Sequence, residues 1–261
     1  LLEDVSAAAL SASGTLIYQR DDSQGFERAG LVAIGLSGAV QPVSSLQRGF
    51  RDVRYSPDGR RIAATIYADF TSDVWVHDIA SGTLLPITRG VSAYRPEWTP
   101  DGRWLLWVQR DTTMTAVWRR PADASGPAEL LQPNASHASV LPDGGTLVYK
   151  SSEPANQLWL RSLAGDTTSR PLAVSPDHEY ASPSVSPDGR WISYSSNLSG
   201  IWQIYVQPFP GPGARQPVTI DGGDHAVWAP EGLTLYYSKG TRLHEAVITE
   251  SPTFTVRRRF L

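Results

Sequence analysis

A four-residue motif related to Ser-Pro-Asp-Gly recurs six times along the chain at nearly constant spacing. The copies occupy residues 11–14, 56–59, 99–102, 141–144, 186–189 and 229–232. Their final glycines lie 45, 43, 42, 45 and 43 residues apart. A fixed period of about 40–45 residues with strand-like flanks is typical of a propeller blade. The repeat therefore predicts an all-β fold, a six-bladed β-propeller of four-stranded antiparallel blades.

The motif has the composition of a tight turn between two antiparallel strands. Proline presets a φ near −65° at the first central position, aspartate suits the second, and glycine takes the positive φ that follows. Glycine adopts that conformation without steric cost. The copy at 11–14 lacks the proline, and the last copy has Glu231 in place of aspartate, yet both keep the glycine. We expect each copy to connect the first two strands of a blade.

The chain has 261 residues, which six repeats of this period nearly fill. All-β propellers of this size are often one domain. We therefore predict a single domain spanning 1–261, without linkers. The predicted blades cover approximately 1–47, 48–91, 92–134, 135–176, 177–221 and 222–261. No strand is obviously shared between the first and last blades, so ring closure would rest on face-to-face packing or on continuation of the chain.

Composition excludes several classes of function. A net charge of −3 gives no electrostatic footprint for nucleic acid. The chain has no cysteine, which removes disulfides, thiolate nucleophiles and cysteine zinc sites. No apolar run approaches the roughly 18 residues that span a membrane, and neither a signal peptide nor an initiator methionine is present. We expect a mature fragment or an excised domain without direct membrane insertion.

The second repeat illustrates the four strands, which we call A to D in chain order. We predict strand A at 50–55, strand B at 61–67, strand C at 73–79 and strand D at 83–88, with a polar loop at 68–72. Strand C alternates apolar and polar residues, as a half-buried strand does. Because chain direction alternates within a blade, the A–B and C–D turns share one face. The B–C and D–A loops share the other.

Strand A is innermost, and its polar positions provide the candidate site. Seven residues before each turn glycine stand Ala7, Asp52, Arg95, His137, Ser182 and His225. Five residues before it stand Ala9, Arg54, Glu97, Ser139, Ser184 and Val227. The positions four and six before the glycine are apolar. Period-two alternation places the polar rows toward the central channel and the apolar rows between blades.

These rows predict a site at the channel mouth for a small polar or anionic ligand, or for a cation. The predicted ligand-binding residues are Asp52, Arg95, His137, Ser182, His225, Arg54 and Glu97. Asp52, His137 and His225 lie on alternate blades and are candidate ligands for a divalent cation in the channel, although their spacing matches no metal motif. No other cofactor is predicted. Alternatively, these groups hydrogen-bond one another and channel water without binding a ligand.

The chain shows no catalytic signature, and we predict no catalytic residue. It lacks a Gly-x-Ser-x-Gly elbow, a His-Glu-x-x-His motif and a glycine-rich phosphate loop. His77 and His244 fall on C strands, where a packing or surface role is expected. Trp75, Trp118 and Trp159 recur at matching C-strand positions and are expected in the core.

Residues 56–63 and 73–79 resemble the TolB-like, WD-like propeller repeat of bacteria. Residues 186–197, followed by 204–211 and 228–232, are similar to the propeller appended to many bacterial membrane-anchored serine/threonine protein kinases. The resemblance covers essentially the whole chain. It implies a sensor or protein-interaction module of a larger signalling protein, outside the cytoplasm in the periplasm. It implies no catalytic residues, because the kinase motifs His-Arg-Asp and Asp-Phe-Gly do not occur here.

Three functions compete on this reading. The first is a non-catalytic ligand- or protein-binding propeller, favoured by the regular repeats and the absence of a catalytic constellation. The second is a metal-dependent hydrolase of the lactonase or glycan-lyase kind, with its site at the channel mouth. The third is a propeller that gates a separate hydrolase domain, as in prolyl-oligopeptidase-type peptidases.

The binding hypothesis places a protein partner or small polar ligand on the face formed by the B–C and D–A loops. Residues 21–30, with Phe26, and residues 69–72, with Phe70, offer aromatic side chains there. Aromatic and arginine side chains are the usual anchors of protein interfaces. No nucleic-acid partner is expected.

Overall fold

Strands joined by turns account for all the regular structure that the computed structural model describes, and these residues contain no helix. The described residues are 5–11, 15–20, 31–34, 40–43, 48–68, 71–152, 156–165, 167–211, 213–229, 232–240, 242–250 and 254–260. Within these ranges, no helical segment has the length and hydropathy to cross a membrane. The chain divides into two compact units, which are described separately.

The N-terminal unit, Asp4–Ala138, contains three sets of four strands, each set in the chain order A to D. The first set is β1 (Val5–Leu10), β2 (Leu16–Arg20), β3 (Leu31–Ile34) and β4 (Val40–Pro42). The second is β5 (Gly49–Tyr55), β6 (Arg61–Ala68), β7 (Thr71–Asp78) and β8 (Leu84–Pro86). The third is β9 (Ser92–Trp98), β10 (Trp104–Arg110), β11 (Thr115–Pro121) and β12 (Glu129–Gln132). A single parallel pairing of Ser72 with Ser92 links the second and third sets.

The C-terminal unit, Ser139–Leu261 with Leu1–Glu3, contains three further sets, the first of which begins before the unit boundary. That set is β13 (Ala135–Val140), β14 (Thr146–Ser151), β15 (Leu158–Ser162) and β16 (Ser169–Ala173). The next is β17 (Tyr180–Val185), β18 (Trp191–Ser196), β19 (Gln203–Pro208) and β20 (Gln216–Pro217). The last is β21 (Asp224–Trp228), β22 (Thr234–Lys239), β23 (Arg242–Thr249) and β24 (Thr255–Phe260).

The second copy of the motif shows how the turn between strands A and B is held. Gly59 has a φ of 69°, and its N–H donates to the carbonyl of Ser56 at 2.8 Å. The Ser56 hydroxyl donates to Asp58 Oδ1 at 2.5 Å and accepts from the N–H of Arg61 at 2.9 Å. Asp58 Oδ1 also accepts from the N–H of Arg60 at 3.1 Å. The side chains of the motif therefore satisfy the backbone groups that the turn leaves unpaired.

The third and fifth copies repeat this hydrogen bond between the first and third residues of the motif. The hydroxyls of Thr99 and Ser186 donate to Asp101 and Asp188, each at 2.6 Å. Side-chain and backbone hydrogen bonds hold the pKa of Asp58 and of Asp101 below the usual value. Burial opposes the same shift in Asp188, but its hydrogen bonds outweigh burial and the pKa is again lowered.

The strands predicted for the second repeat are confirmed to within about two residues. The polar loop predicted at 68–72 is wrong, because the B and C strands continue to a pairing of Ala68 with Thr71. The motif glycine at 14 and Glu231 lie outside the described residues. The single domain 1–261 and its blade boundaries stay predictions.

The apolar core lies between neighbouring sets within each unit, and the residues expected in it are buried or half-buried. In the N-terminal unit, Trp107 packs into one cluster with 1% of its surface exposed. His77 and His244 are only 3% and 6% exposed, so they pack in the interior and are not surface residues. Trp75 and Trp118 are half-buried against core clusters.

Replacing the turn glycine tests the backbone geometry of the motif. A Cβ at Gly59 would contact nothing within 4 Å, so the cost of Gly59→Ala comes from its φ of 69° alone. We expect Gly59→Ala to lower the free energy of unfolding by about 1 kcal/mol, measured by urea denaturation. Gly211 also has open space at its Cβ but no positive φ, so Gly211→Ala is the matched control. Equal stability of the two variants would contradict the turn geometry.

The lowered pKa values of the turn aspartates predict a loss of stability in acid. A group whose pKa is lower in the folded chain stabilises it above the unfolded value, and that contribution is lost as pH falls through the folded value. We therefore expect stability to fall as pH drops below 3.8, the usual value for these carboxyls. In urea unfolding between pH 5 and 3, Asp58→Asn/Asp101→Asn/Asp188→Asn should flatten this fall. Asp177→Asn, in an exposed loop, should not.

Candidate functional site

The residue seven positions before the turn glycine has a left-handed backbone in four of the sets. Its φ is 48° at Asp52, 55° at Arg95, 49° at Ser182 and 55° at His225. At each of them the pairing of strand A with strand B shifts register, which marks a β-bulge. Alternation is broken at a bulge, so the two polar rows of strand A are not related by simple period-two geometry.

In the N-terminal unit, polar side chains of the second set hold the bulge of the third. The Thr65 hydroxyl on β6 donates to Asp52 Oδ2 at 3.1 Å. The backbone N–H of Arg95 lies 3.3 Å from the same carboxylate oxygen and 3.2 Å from Thr65 Oγ1. The N–H of one A strand is therefore satisfied by side chains from the preceding set.

In the C-terminal unit, the carboxylate that accepts the N–H at the bulge belongs to Asp224, on the bulged strand β21 itself. Ser195 stands six residues after its turn glycine, as Thr65 does, and donates to Asp224 Oδ1 at 2.7 Å. The N–H of His225 donates to the same oxygen at 2.7 Å, and the Ser182 hydroxyl lies 3.4 Å away. One hydroxyl and one carboxylate thus hold the bulge in both units.

Two of the left-handed residues contribute only their backbone to these networks. The Arg95 guanidinium instead reaches His137, with Nη1 3.4 Å from Nδ1. The side chain of His225 is 66% exposed, with Nδ1 3.8 Å from Asp224 Oδ2. The side chains of both residues therefore lie outside the hydrogen bonds that hold the bulge.

A charged pair lies two residues further along the same A strands of the N-terminal unit. Arg54 Nε donates to Glu97 Oε2 at 3.1 Å, and the two side chains are 39% and 29% exposed. Burial raises the pKa of Glu97, and the charge and hydrogen bond of Arg54 only partly offset this. Perturbed carboxyls of this kind occur preferentially at functional sites, although structural ion pairs also produce them.

Tryptophans four residues before the turn glycine tie neighbouring A strands together. Trp98 Nε1 donates to the carbonyl of Arg54 at 3.2 Å in the N-terminal unit. Trp228 Nε1 donates to the carbonyl of Ser184 at 3.1 Å in the C-terminal unit. Both indoles are otherwise buried, so each hydrogen bond satisfies a polar atom inside an apolar layer.

The chemistry of the network does not favour a metal ion. Nowhere in the described ranges do three His, Asp or Glu side chains come together as a metal site requires. Asp52 and Asp224 already accept hydrogen bonds, and the cationic Arg95 stands beside His137. The divalent cation at Asp52, His137 and His225 stays a prediction.

The structure divides the predicted site residues between the two units. Asp52, Arg54, Arg95, Glu97 and His137 lie in the N-terminal unit, where hydrogen bonds join them into two groups. Ser182 and His225 lie in the C-terminal unit, where Asp224 joins them. Convergence of all seven at one channel mouth stays a prediction.

Sequence reasoning missed Thr65 and Ser195, the hydroxyls that organise the bulges together with Asp52 and Asp224. The available signal was a hydroxyl at the same repeat position of an otherwise largely apolar B strand. The loop aromatics Phe26 and Phe70 lie outside the described residues.

Comparison with known proteins identifies the fold. No family model matches the chain. The Tol-Pal system protein TolB of Anaeromyxobacter dehalogenans (strain 2CP-C) is 27% identical over 101 residues, which cover 38% of this chain and 23% of that protein. The crystal structure of TolB from Acinetobacter baumannii superposes with a TM-score of 0.78 at 20% identity, over 96% of this chain and 64% of that chain. This chain has a TolB-like β-propeller fold.

Enzymes share the same fold. A gluconolactonase from Xanthomonas campestris superposes with a TM-score of 0.69 at 16% identity, over 93% of this chain and 86% of that chain. A puromycin-hydrolyzing peptidase of Mycobacterium tuberculosis superposes with a TM-score of 0.67 at 15% identity, over 95% of this chain and 45% of that chain. At such identities the likeness establishes architecture only. The 24 described strands, in six sets of four, agree with the predicted blade number.

Substitution of His225 separates backbone strain from side-chain loss. His225→Gly and His225→Ala both delete the exposed imidazole, but only glycine adopts a φ of 55° freely. We expect His225→Gly to be more stable than His225→Ala by about 1 kcal/mol in urea denaturation. Indistinguishable stabilities would mean that the position carries no conformational strain.

Proposed function

We propose that this chain is a non-catalytic recognition module that binds a partner through the polar side chains on its bulged A strands. One observation carries the proposal: four equivalent positions keep a left-handed backbone with Asp, Arg, Ser or His in place of glycine. Non-glycine residues in this conformation cost about 1–3 kcal/mol each and cluster at functional sites.

The variety of side chains at these positions supports a role beyond folding. Asp52 and Ser182 take part in the networks that hold the bulges, but Arg95 and His225 contribute only an N–H to them. Glycine would supply the same N–H without strain. Their side chains therefore have a value that folding alone does not explain.

The partly exposed groups indicate what kind of ligand would bind. Arg95, with His137 beside it, offers guanidinium donors that suit a carboxylate or a backbone carbonyl. The neighbouring Arg54–Glu97 pair, partly exposed, adds one charge of each sign. Mixed charges of this kind suit the polar surface of a protein partner better than a small apolar substrate.

The likeness to TolB proteins supports this assignment over an enzyme, since one TolB is similar to this chain in sequence and another in fold. The sequence resemblance to kinase-associated propellers further leads us to place the chain in a larger bacterial signalling protein, outside the cytoplasm. Lactonase-like hydrolysis and the gating of a peptidase are supported by likeness of fold alone.

Capture experiments test the recognition function. The wild type, Arg95→Ala/His137→Ala and Arg119→Ala would be immobilised, and proteins retained from extracts of bacteria with Tol-Pal systems would be identified by mass spectrometry. Arg119 is the control because it pairs with Glu129 on the outer strands, away from the site. We expect the double substitution to weaken binding of a retained partner at least about tenfold and the control to leave it unchanged. Equal retention by all three proteins would contradict the proposal.

A metal ion bound to this protein would instead favour the metal-dependent hydrolase. If the purified protein contains a stoichiometric divalent ion, and added ion raises the Tm of wild type but not of His137→Ala/His225→Ala, the site is a metal centre. That result would overturn the non-catalytic assignment and call for lactone and uronide substrates to be screened.

A further inference from the structure

Three large apolar side chains are exposed on neighbouring loops of the C-terminal unit. Ile201 and Trp202, in the B–C loop between β18 and β19, are 50% and 39% exposed. Ile220, in the D–A loop between β20 and β21, is 67% exposed. We call these three residues the loop patch. Grouped apolar side chains of this size on a protein surface mark interaction sites more often than isolated ones do.

Hydrogen bonds hold the two loops beside each other at the start of β19. The N–H of Ile204 donates to Thr219 Oγ1 at 3.0 Å, and the Thr219 hydroxyl lies 3.3 Å from Gln203 Oε1. A Cβ at Gly222 would lie 3.8 Å from the carbonyl oxygen of Trp202. The backbone at Trp202 therefore lies close to the D–A loop at Gly222, two residues after Ile220.

The B–C loop is also held in shape by its own groups. Gln203 Nε2 donates to Ser199 Oγ at 2.9 Å, and the N–H of Gly200 donates to the carbonyl of Asn197 at 2.9 Å. Gly200 has a φ of 88°, which fixes the turn that presents Ile201. A surface ordered before binding loses less conformational entropy when a partner docks.

Acidic side chains border the patch on both sides. The N–H of Glu179 donates to Asn197 Oδ1 at 2.8 Å, which places this exposed residue beside the B–C loop. On the other side, Asp221 is paired with Lys239, and the Asp224 side chain is 46% exposed. The border therefore carries more negative than positive charge and is complementary to a basic partner.

We propose that the loop patch anchors an extended segment of a partner protein that presents an apolar side chain flanked by Lys or Arg. The proposal rests on the recognition function above and names the chemistry of the partner. Trp202 supplies the buried contact, because tryptophan is the side chain most enriched among residues that dominate binding energy. The exposed Glu179 selects a flanking cation.

A displayed library of random dodecapeptides, panned against the whole chain, tests this inference. We expect enriched peptides that combine Leu, Ile, Phe or Trp with adjacent Lys or Arg. By interferometry, Trp202→Ser should weaken their binding about tenfold or more. Ile220→Asp provides a second test should Trp202→Ser fail to fold. Leu130→Ser, which alters an equally exposed residue on β12, is the control and should bind normally.

The outcomes separate this inference from the recognition function. Peptides that lose binding with Trp202→Ser but not with Arg95→Ala/His137→Ala support the loop patch alone. Peptides with the opposite dependence support the recognition function and overturn the loop patch. Enrichment of acidic peptides overturns it as well. So does light scattering that shows a dimer disrupted by Ile220→Asp, because the patch would then bind a second copy of the chain.

Discussion

The backbone N–H at the bulge of an A strand must find an acceptor, and in this chain that acceptor is a carboxylate hydrogen-bonded to a hydroxyl of the preceding set of strands. Buried backbone donors left unpaired are costly, so nearly all are satisfied in native proteins. Asp52 and Thr65 both accept from the N–H of Arg95, whereas Asp224 of the bulged strand accepts from the N–H of His225 and also from the Ser195 hydroxyl. Packing of apolar faces alone cannot supply such acceptors, so each unit depends on these polar contacts between neighbouring A strands.

The need to satisfy the backbone N–H at each bulge also determines which polar side chains are engaged within the fold. A carboxylate that already accepts two or three hydrogen bonds within the fold has little capacity left for a ligand. The side chains of Arg95 and His225 are held at strained positions without being needed there. The structure therefore distinguishes carboxylates that hold the bulges, such as Asp52 and Asp224, from side chains that do not, such as Arg95 and His225. The two rows of polar residues on strand A did not reveal this distinction in the sequence.

The sequence predicted the fold well because the motif encodes it locally. Each described motif glycine adopts a positive φ, and in copies such as Ser56, Asp58 and Gly59 a hydroxyl and a carboxylate hold the turn as well. The bulges escaped prediction because their signal is not local. The residue at the left-handed position is never glycine in the described examples, and its partner Thr65 is thirteen residues away from Asp52. The loop patch was missed for a similar reason, since its exposure depends on tertiary contacts.

The polar side chains on the bulged A strands and the apolar loop patch contribute differently to binding. Polar groups such as Arg95 add little net affinity in water, because each must exchange hydrogen bonds with solvent for those with a ligand, but they discriminate strongly between partners. Apolar groups such as Trp202 and Ile220 gain affinity from burial and discriminate weakly. Both occur on loops or strand starts at the end of a blade where B–C and D–A connections meet. Because the two kinds of contact supply affinity and selectivity separately, a recognition surface gains from combining them.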